Sequence, residues 1–173
     1  IASSGAGVMI TVDCGISANE AIDYAASLRI TTIVTDHHEP KAVRPNAFAV
    51  INPRCDPGYP PEPLAGVGVA LKCAHALCIR LNKDASWWGD MLDLAALGTA
   101  ADIVPLTGEN RIITSVGFET IARSTRVGIQ ALLQVQGLSG KKISTGNVVF
   151  GLAPCINAVG RLGDPRRGVE LLI

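Results

Sequence analysis

The sequence predicts an α/β fold, a parallel β-sheet flanked by helices and followed by a mainly helical segment, and three observations carry that expectation. Two apolar runs, Val8-Met9-Ile10-Thr11-Val12 and Ile30-Thr31-Thr32-Ile33-Val34-Thr35, each end in a carboxylate, Asp13 and Asp36. The stretch between them has helical apolar spacing, so the chain spells strand, helix, strand. Hydrophobic residues make up 48% of the chain and aromatic ones only 4%. Such a core of Val, Ile, Leu and Ala suits parallel strands covered by helices.

The elements follow in order. Ser17-Ala18-Asn19-Glu20 has the form of a capping box, and Ala21, Ile22, Ala25 and Leu28 follow at helical spacing, which predicts a helix over 18–28. Residues 47–51 (Ala-Phe-Ala-Val-Ile) read as a third short strand closed by Asn52-Pro53, and Pro53, Pro57, Pro60, Pro61 and Pro63 mark an irregular loop up to Leu64. Further helices are predicted over 67–81, over 86–97 with Ser86 as cap, over 109–123 and over 129–135. Gly137 to Gly140 is a turn with Lys141 and Lys142 behind it, and residues 168–173 are helix-like. No internal repeat or low-complexity tract interrupts this pattern.

At 173 residues there is room for one domain with a real core, or one domain and part of another. We expect a first domain over 1–106 and a helical connecting region over 107–173. The opening Ile1-Ala2-Ser3-Ser4 reads as the start of an internal fragment. No apolar run approaches the roughly 18 residues that span a bilayer, so no membrane partner is expected. Five scattered cysteines without a Cys-x-x-Cys pair indicate neither a disulfide framework nor a zinc knuckle. Reduced thiols and a cytoplasmic location fit best. Net charge is zero, yet residues 1–110 hold 7 Lys/Arg against 12 Asp/Glu and residues 111–173 hold 8 against 3. An acidic half suits cations and a basic half suits phosphates, although an ordinary surface can also divide this way.

Hard divalent cations want carboxylate oxygens, and Mn²⁺ also accepts imidazole nitrogen. Asp13, Asp36, His37, His38 and Asp102 supply that mixture. Because a right-handed crossover brings both strand ends to one edge of a parallel sheet, Asp13 and His37 can converge. A metal-dependent phosphoesterase is therefore the leading reading. It requires Asp13, His37 and Asp102 to crowd around one cation-sized gap. Each has a structural alternative: a lone Asp after a strand often forms a turn or caps a helix, and buried imidazoles can be held by packing partners.

Other motifs invite similar alternatives. The glycines in Leu64-Ala65-Gly66-Val67-Gly68 precede a helix, but the third glycine of a dinucleotide fingerprint is missing, which favours close helix packing. His75 reads as structural, and Trp87 and Trp88 as a helix anchor rather than a base-stacking pair. Asn157 to Asp164 reads as a loop in which Arg161 either forks onto phosphate or pairs with Asp164.

Taken together, Val12-Asp13-Cys14-Gly15, Thr35-Asp36-His37-His38-Glu39-Pro40, Leu64 to Gly68, Gly98 to Arg111 and Asn157 to Gly163 resemble the DHH phosphoesterases and, within them, the RecJ-type single-strand-specific exonucleases. The resemblance implies a 5′ to 3′ exonuclease of single-stranded DNA in recombination and repair, with a helicase or single-strand-binding protein as candidate partner. It implies that Asp13 bridges two Mn²⁺ or Mg²⁺ ions, with His37 and Asp102 completing the coordination of one. His38 would touch the scissile phosphate, Asp36 would orient its neighbours, and Asn157 and Arg161 would hold the DNA backbone. The family's Asp-x-Asp motif, its C-terminal nucleic-acid-binding domain and an Arg at the position of Cys155 are absent from this sequence. The 173-residue piece is accordingly expected to be inactive by itself. Two alternatives share its residues: a phosphodiesterase of oligonucleotides or cyclic dinucleotides, and a non-catalytic replication scaffold, against which the retained ligands argue.

Overall fold

The computed structural model describes residues 1–60 and 64–173, with the backbone alone described at 85 and 86. The chain divides into two compact units, Ile1–Leu77 and Cys78–Ile173.

The first unit is built on three strands, β1 (Val8–Val12), β2 (Thr31–Thr35) and β3 (Ala49–Ile51), in the order β1-β2-β3. All neighbours are parallel, with Val8 opposite Thr31, Val12 opposite Thr35, and Thr35 opposite Ile51. Helix α1 (Asn19–Ser27) makes the crossover from β1 to β2 and buries Ile22 and Ala25 against the sheet side that holds Val34. The predicted capping box does not form. Ala18 is the N-cap and makes no side-chain cap bond, because a backbone turn from Ala18 N–H to Gly15 O already leads the chain into the helix. Among the described residues β1 is an outer strand, and Val8, Ile10 and Val12 remain exposed.

The third strand is shorter than the predicted 47–51, although its bonding begins at Phe48, whose N–H donates to Thr32 O. A 3-10 turn at Pro53–Cys55 follows, and the loop prolines Pro61 and Pro63 lie outside the described residues. Helix α2 (Gly66–Arg80) spans the point at which the two units divide.

The second unit is helical throughout its described residues: α3 (Leu92–Ala101), α4 (Gly108–Ala122), α5 (Val127–Val135), α6 (Thr145–Asn147), α7 (Ala153–Leu162) and α8 (Arg166–Leu172). Where a helix was predicted over 86–97, a 3-10 segment occupies Ala85–Met91 and α3 starts only at Leu92; the side chain of Ser86, the predicted cap, lies outside the described residues. Gly89 and the two bulky tryptophans disfavour a regular helix here, and the Trp87 indole N–H donates to Cys78 Sγ. Helix α4 lies against α3 at backbone range, since a Cβ on Gly117 would stand 2.3 Å from Leu92 O. The core of this unit gathers Ala96, Ile121, Ile129, Leu133, Val148 and Leu152.

One further expectation is corrected. A π-helical turn at Val148–Leu152 joins α6 to α7, so residues 157–162 are helix and not loop. The apolar residues Ile156 and Val159 sit on the inner side of that helix, and Gly163 ends it. By packing, the compact units part at Leu77/Cys78, because α3 packs on α4 and stays with the helical unit. All five cysteines are free thiols, and no described helix is long and apolar enough to cross a membrane.

Candidate metal centre

The carboxyl ends of β1 and β2 lie side by side, and the site is assembled there. Asp13 leaves β1 with φ at 62°, a left-handed conformation that Asp tolerates better than most residues. Its N–H still donates to Thr35 O at 3.0 Å, so the strand ladder holds its backbone while the turn swings its side chain away from the sheet edge. The Thr35 hydroxyl donates to Thr11 O at 2.7 Å, and the Thr11 hydroxyl to Cys14 O at 2.7 Å. Gly15, at φ 113°, completes the turn; a Cβ there would meet Thr11 Oγ1 at 2.7 Å.

Asp36 is the internal brace. Its carboxylate is 1% exposed, and both oxygens are occupied. Oδ2 accepts from Ile16 N–H at 2.9 Å, and Oδ1 accepts from the N–H groups of His37 at 2.8 Å and His38 at 3.2 Å and from the His38 ring at Nδ1, 2.7 Å. Burial pushes the Asp36 carboxyl up, but the bonds from Ile16, the His38 ring and the two amides outweigh it and hold the group below its ordinary value. An ionised carboxylate only accepts, so Nδ1 of His38 carries the proton and Nε2 presents its lone pair outward.

His37 turns the other way. Its ring is nearly buried, and Nε2 stands 3.0 Å from Asp13 Oδ1. The two imidazoles are neighbours, with ring centroids 4.4 Å apart and planes tilted by 59°. Asp13, His37 and His38 each offer a ligand atom, and these atoms lie within 4.8 Å of one another. Two donors set at right angles about 2.1 Å from one ion would be separated by about 3.0 Å. The Asp13–His37 spacing therefore fits a shared cation, and a carboxylate with two imidazoles is a donor set that Mn²⁺ accepts.

Backbone geometry around the cluster involves residues to which the sequence assigned no part in the site. Arg54 Nε donates to His37 O at 2.9 Å, and its Nη1 donates to Glu39 Oε2 at 2.9 Å. Asn52 Nδ2 donates to His38 O at 3.0 Å while its Oδ1 accepts from Arg54 N–H. The loop after β3 thus grips the Asp-His-His loop by its carbonyls. The sequence marks Asn52 only as the residue that closes an apolar strand, and nothing in it marks Arg54. Gly66, the first residue of α2, lies so close to Asp13 that an added Cβ would be 2.2 Å from Oδ1. The glycine motif serves close packing here, against a ligand side chain.

The remaining predicted site residues belong to the second unit. Asp102 is the exposed C-cap of α3, followed by Ile103 at φ 59°, and the segment after it is tied by Asn110 Nδ2 to Pro105 O at 3.0 Å. Asn157 and Arg161 are both exposed on α7, four residues apart and so on one helix face. Asp164 is engaged by Arg166, with Nε to Oδ2 at 2.7 Å, and not by Arg161. His75 lies half-buried in α2, where a structural role was expected.

Comparison with known proteins matches residues 6–99 to the DHH family, N-terminal domain. The single-stranded-DNA-specific exonuclease RecJ of Escherichia coli (strain K12) is 44% identical over 98% of this chain and 31% of its own length. That of Bacillus subtilis (strain 168) is 42% identical over 100% of this chain and 21% of its own. Among solved structures, exonuclease RecJ bound to manganese superposes with a TM-score of 0.84 at 36% identity, covering 96% of this chain and 41% of that one. RecJ of Thermus thermophilus in complex with Mg²⁺ superposes with a TM-score of 0.72 at 34% identity, covering 96% and 22%. The chain thus spans less than a third of the curated relatives named here. With more than half of its residues matched, the chain belongs to the DHH family, and within that family it is similar to the RecJ single-stranded-DNA-specific exonucleases.

Proposed function

We propose that this chain is the metal-holding part of a 5′ to 3′ exonuclease that hydrolyses phosphodiester bonds of single-stranded DNA. The observation that carries the reading is the 3.0 Å approach of Asp13 Oδ1 to His37 Nε2 beside the His38 ring, which Asp36 orients. In this reading Asp13 and His37 would hold a Mn²⁺ or Mg²⁺ ion and Asp13 would also serve a second; Asp102 as a further ligand rests on the family resemblance alone. Bound divalent cations supply neutralisation of phosphate charge and a water of lowered pKa for attack on phosphorus.

The protein's own groups do the rest. His38 keeps one proton on Nδ1 through Asp36, which turns Nε2 outward, where with a proton of its own it would donate to a phosphate oxygen. Arg161 and Asn157, on one face of α7, suit two successive contacts to the strand backbone. A helicase or single-strand-binding partner, a role in recombination and repair, and a cytoplasmic setting rest on the family resemblance alone.

Calorimetric titration tests the metal assignment directly. The chain should bind Mn²⁺, and His37→Ala and Asp13→Asn should each weaken binding at least tenfold with the fold retained. Equal Mn²⁺ affinity in the parent and in His37→Ala would remove the basis of the proposal. Turnover by the 173-residue chain alone is not expected, since a second ion needs carboxylates beyond those gathered here.

A further inference from the structure

The helical unit carries a trough that the metal centre does not use. One part, about 530 Å³, lies along the last turns of α4 and is lined by Ser115, Phe118, Glu119, Arg123, Lys141 and Lys142. A second part, about 380 Å³, shares Arg123 and Gly140 with the first and adds Ser124, Gln130, Gln134 and Ser139. The two parts run into each other around the 137–140 turn, where Gly137 and Gly140 adopt φ of 64° and 71°. That turn is anchored by Leu138 N–H to Leu133 O at 2.7 Å and by buried Ile143, so Lys141 and Lys142 project from a fixed backbone.

Charge is what distinguishes this trough. Three cations face one acid, Glu119. None of Arg123, Lys141 and Lys142 enters an ion pair or side-chain hydrogen bond with a described residue. A basic residue at a helix end can be explained by the carbonyls it faces, and Arg123 does stand at the C-cap of α4. The two lysines have no such explanation. Like charges around one concavity repel each other, and an anion placed among them removes that cost.

We propose that this trough binds the phosphodiester backbone of single-stranded DNA, apart from the metal centre. An extended trough suits a strand better than a compact anion. Its polar part supplies the hydroxyl and amide side chains of Ser139 and Gln134, and its charged part is lined by half-buried Phe118. Cations interleaved with an aromatic are the combination that tracks single strands with little sequence preference. The inference rests on the reading of the protein as one that acts on single-stranded DNA.

The test is fluorescence anisotropy of a labelled oligothymidylate with the 173-residue chain at a series of salt concentrations, in parent, Lys141→Glu/Lys142→Glu and the milder Lys141→Gln/Lys142→Gln. Mn²⁺ calorimetry and thermal melts run alongside. We expect at least a tenfold loss of affinity in the charge reversal, a smaller loss in the neutral pair, and a salt slope shallower by about 1.4, from two contacts at about 0.7 each. Mn²⁺ binding and melting should be unchanged. Unaltered affinity and slope in both variants, or no binding by the parent, would overturn the proposal while leaving the metal reading intact. Polyglutamate competing as well as the oligonucleotide would overturn it in favour of an acidic peptide. Lysine-dependent DNA binding by a chain that takes up no Mn²⁺ would uphold the trough and sink the metal centre.

Discussion

His38 Nδ1 meets Asp36 Oδ1 at 2.7 Å, while the other oxygen of the same carboxylate receives Ile16 N–H at 2.9 Å. One buried side chain thereby fixes a ring at the end of β2 and the backbone of the β1–α1 loop at once. Asp36→Asn separates these duties. An amide cannot accept at both positions, so either the ring or the Ile16 N–H loses its acceptor, at a cost of about 1–3 kcal/mol. Freed of its brace, the ring can also switch tautomer. The same carboxylate also accepts from the N–H of the proposed ligand His37 at 2.8 Å, so we expect Mn²⁺ affinity to fall about 10- to 100-fold, the usual effect of removing a group that orients a ligand. Urea unfolding and calorimetry check both; a variant with parental stability would show that the brace is dispensable.

Gly66→Ala tests the closest approach in the site. The new methyl would stand 2.2 Å from Asp13 Oδ1 and 2.7 Å from its Cβ, so rotation of the carboxylate alone does not relieve the overlap. Asp13 is already held in a left-handed conformation, and α2 has a body of packed residues behind it. The side chain of Asp13 must move, and with it the Asp13–His37 pair. Mn²⁺ binding should drop at least tenfold while circular dichroism keeps its helical signal. Parental Mn²⁺ affinity in Gly66→Ala would mean that Asp13 is not a ligand.

What the sequence made legible here follows from range. Apolar runs ending in Asp13 and Asp36 lie on either side of one helix, so a crossover alone brings their ends together, and the approach of Asp13 to His37 follows from local order. The brace at Asp36 was named from resemblance, but its bond to Ile16, twenty residues away, needs coordinates. Arg54 reaches His37 O across the β3 loop, and nothing in its neighbourhood marks that carbonyl as its acceptor. Helix ends were missed for a different reason. Ser17-x-x-Glu20 has the right letters, yet Gly15 turns the chain first; Asn157 to Gly163 carries two glycines, yet Pro154 and the apolar face of α7 keep it helical up to Leu162.

Asp93 and Arg126 form the lock of the helical unit, and its strength can be measured. Asp93 is buried at the start of α3, where its Oδ2 accepts from Arg126 Nε at 3.1 Å and from the Ser124 hydroxyl at 3.0 Å. Arg126 also reaches Leu172 O at 3.3 Å and Asp90 O at 3.1 Å, so one guanidinium ties the starts of α3 and α5 to the end of α8. Removing it leaves a buried carboxylate with the Ser124 hydroxyl and the Leu94 N–H as donors but no cation. Arg126→Ala should destabilise by about 3–5 kcal/mol, the cost of stranding one partner of a buried pair. Arg126→Lys should recover only part of this, since an ammonium cannot fork to several acceptors. Thermal unfolding gives the answer, and a loss below about 1 kcal/mol would mean that the pair is no better than a surface one.

Arg161 makes no ion pair with Asp164, because Arg166 already engages that carboxylate. Arg166 donates to Asp164 through Nε at 2.7 Å, and this bond holds the Asp164 carboxyl below its ordinary value. The sign follows from the direction: a lowered folded-state value means that the pair stabilises above the unfolded carboxyl's pKa of about 3.9 and ceases to do so as pH falls through the folded value. The pair is exposed, so its contribution is small and salt-sensitive. In Arg166→Ala the Asp164 resonance should titrate at higher pH by NMR than in the parent. Arg161→Ala should leave that titration and the melting temperature unchanged, yet weaken oligonucleotide binding and flatten its salt dependence by about 0.7, one phosphate contact. A shifted Asp164 titration in Arg161→Ala would reveal a surface ion pair in solution, and the DNA role of Arg161 would then lose its support.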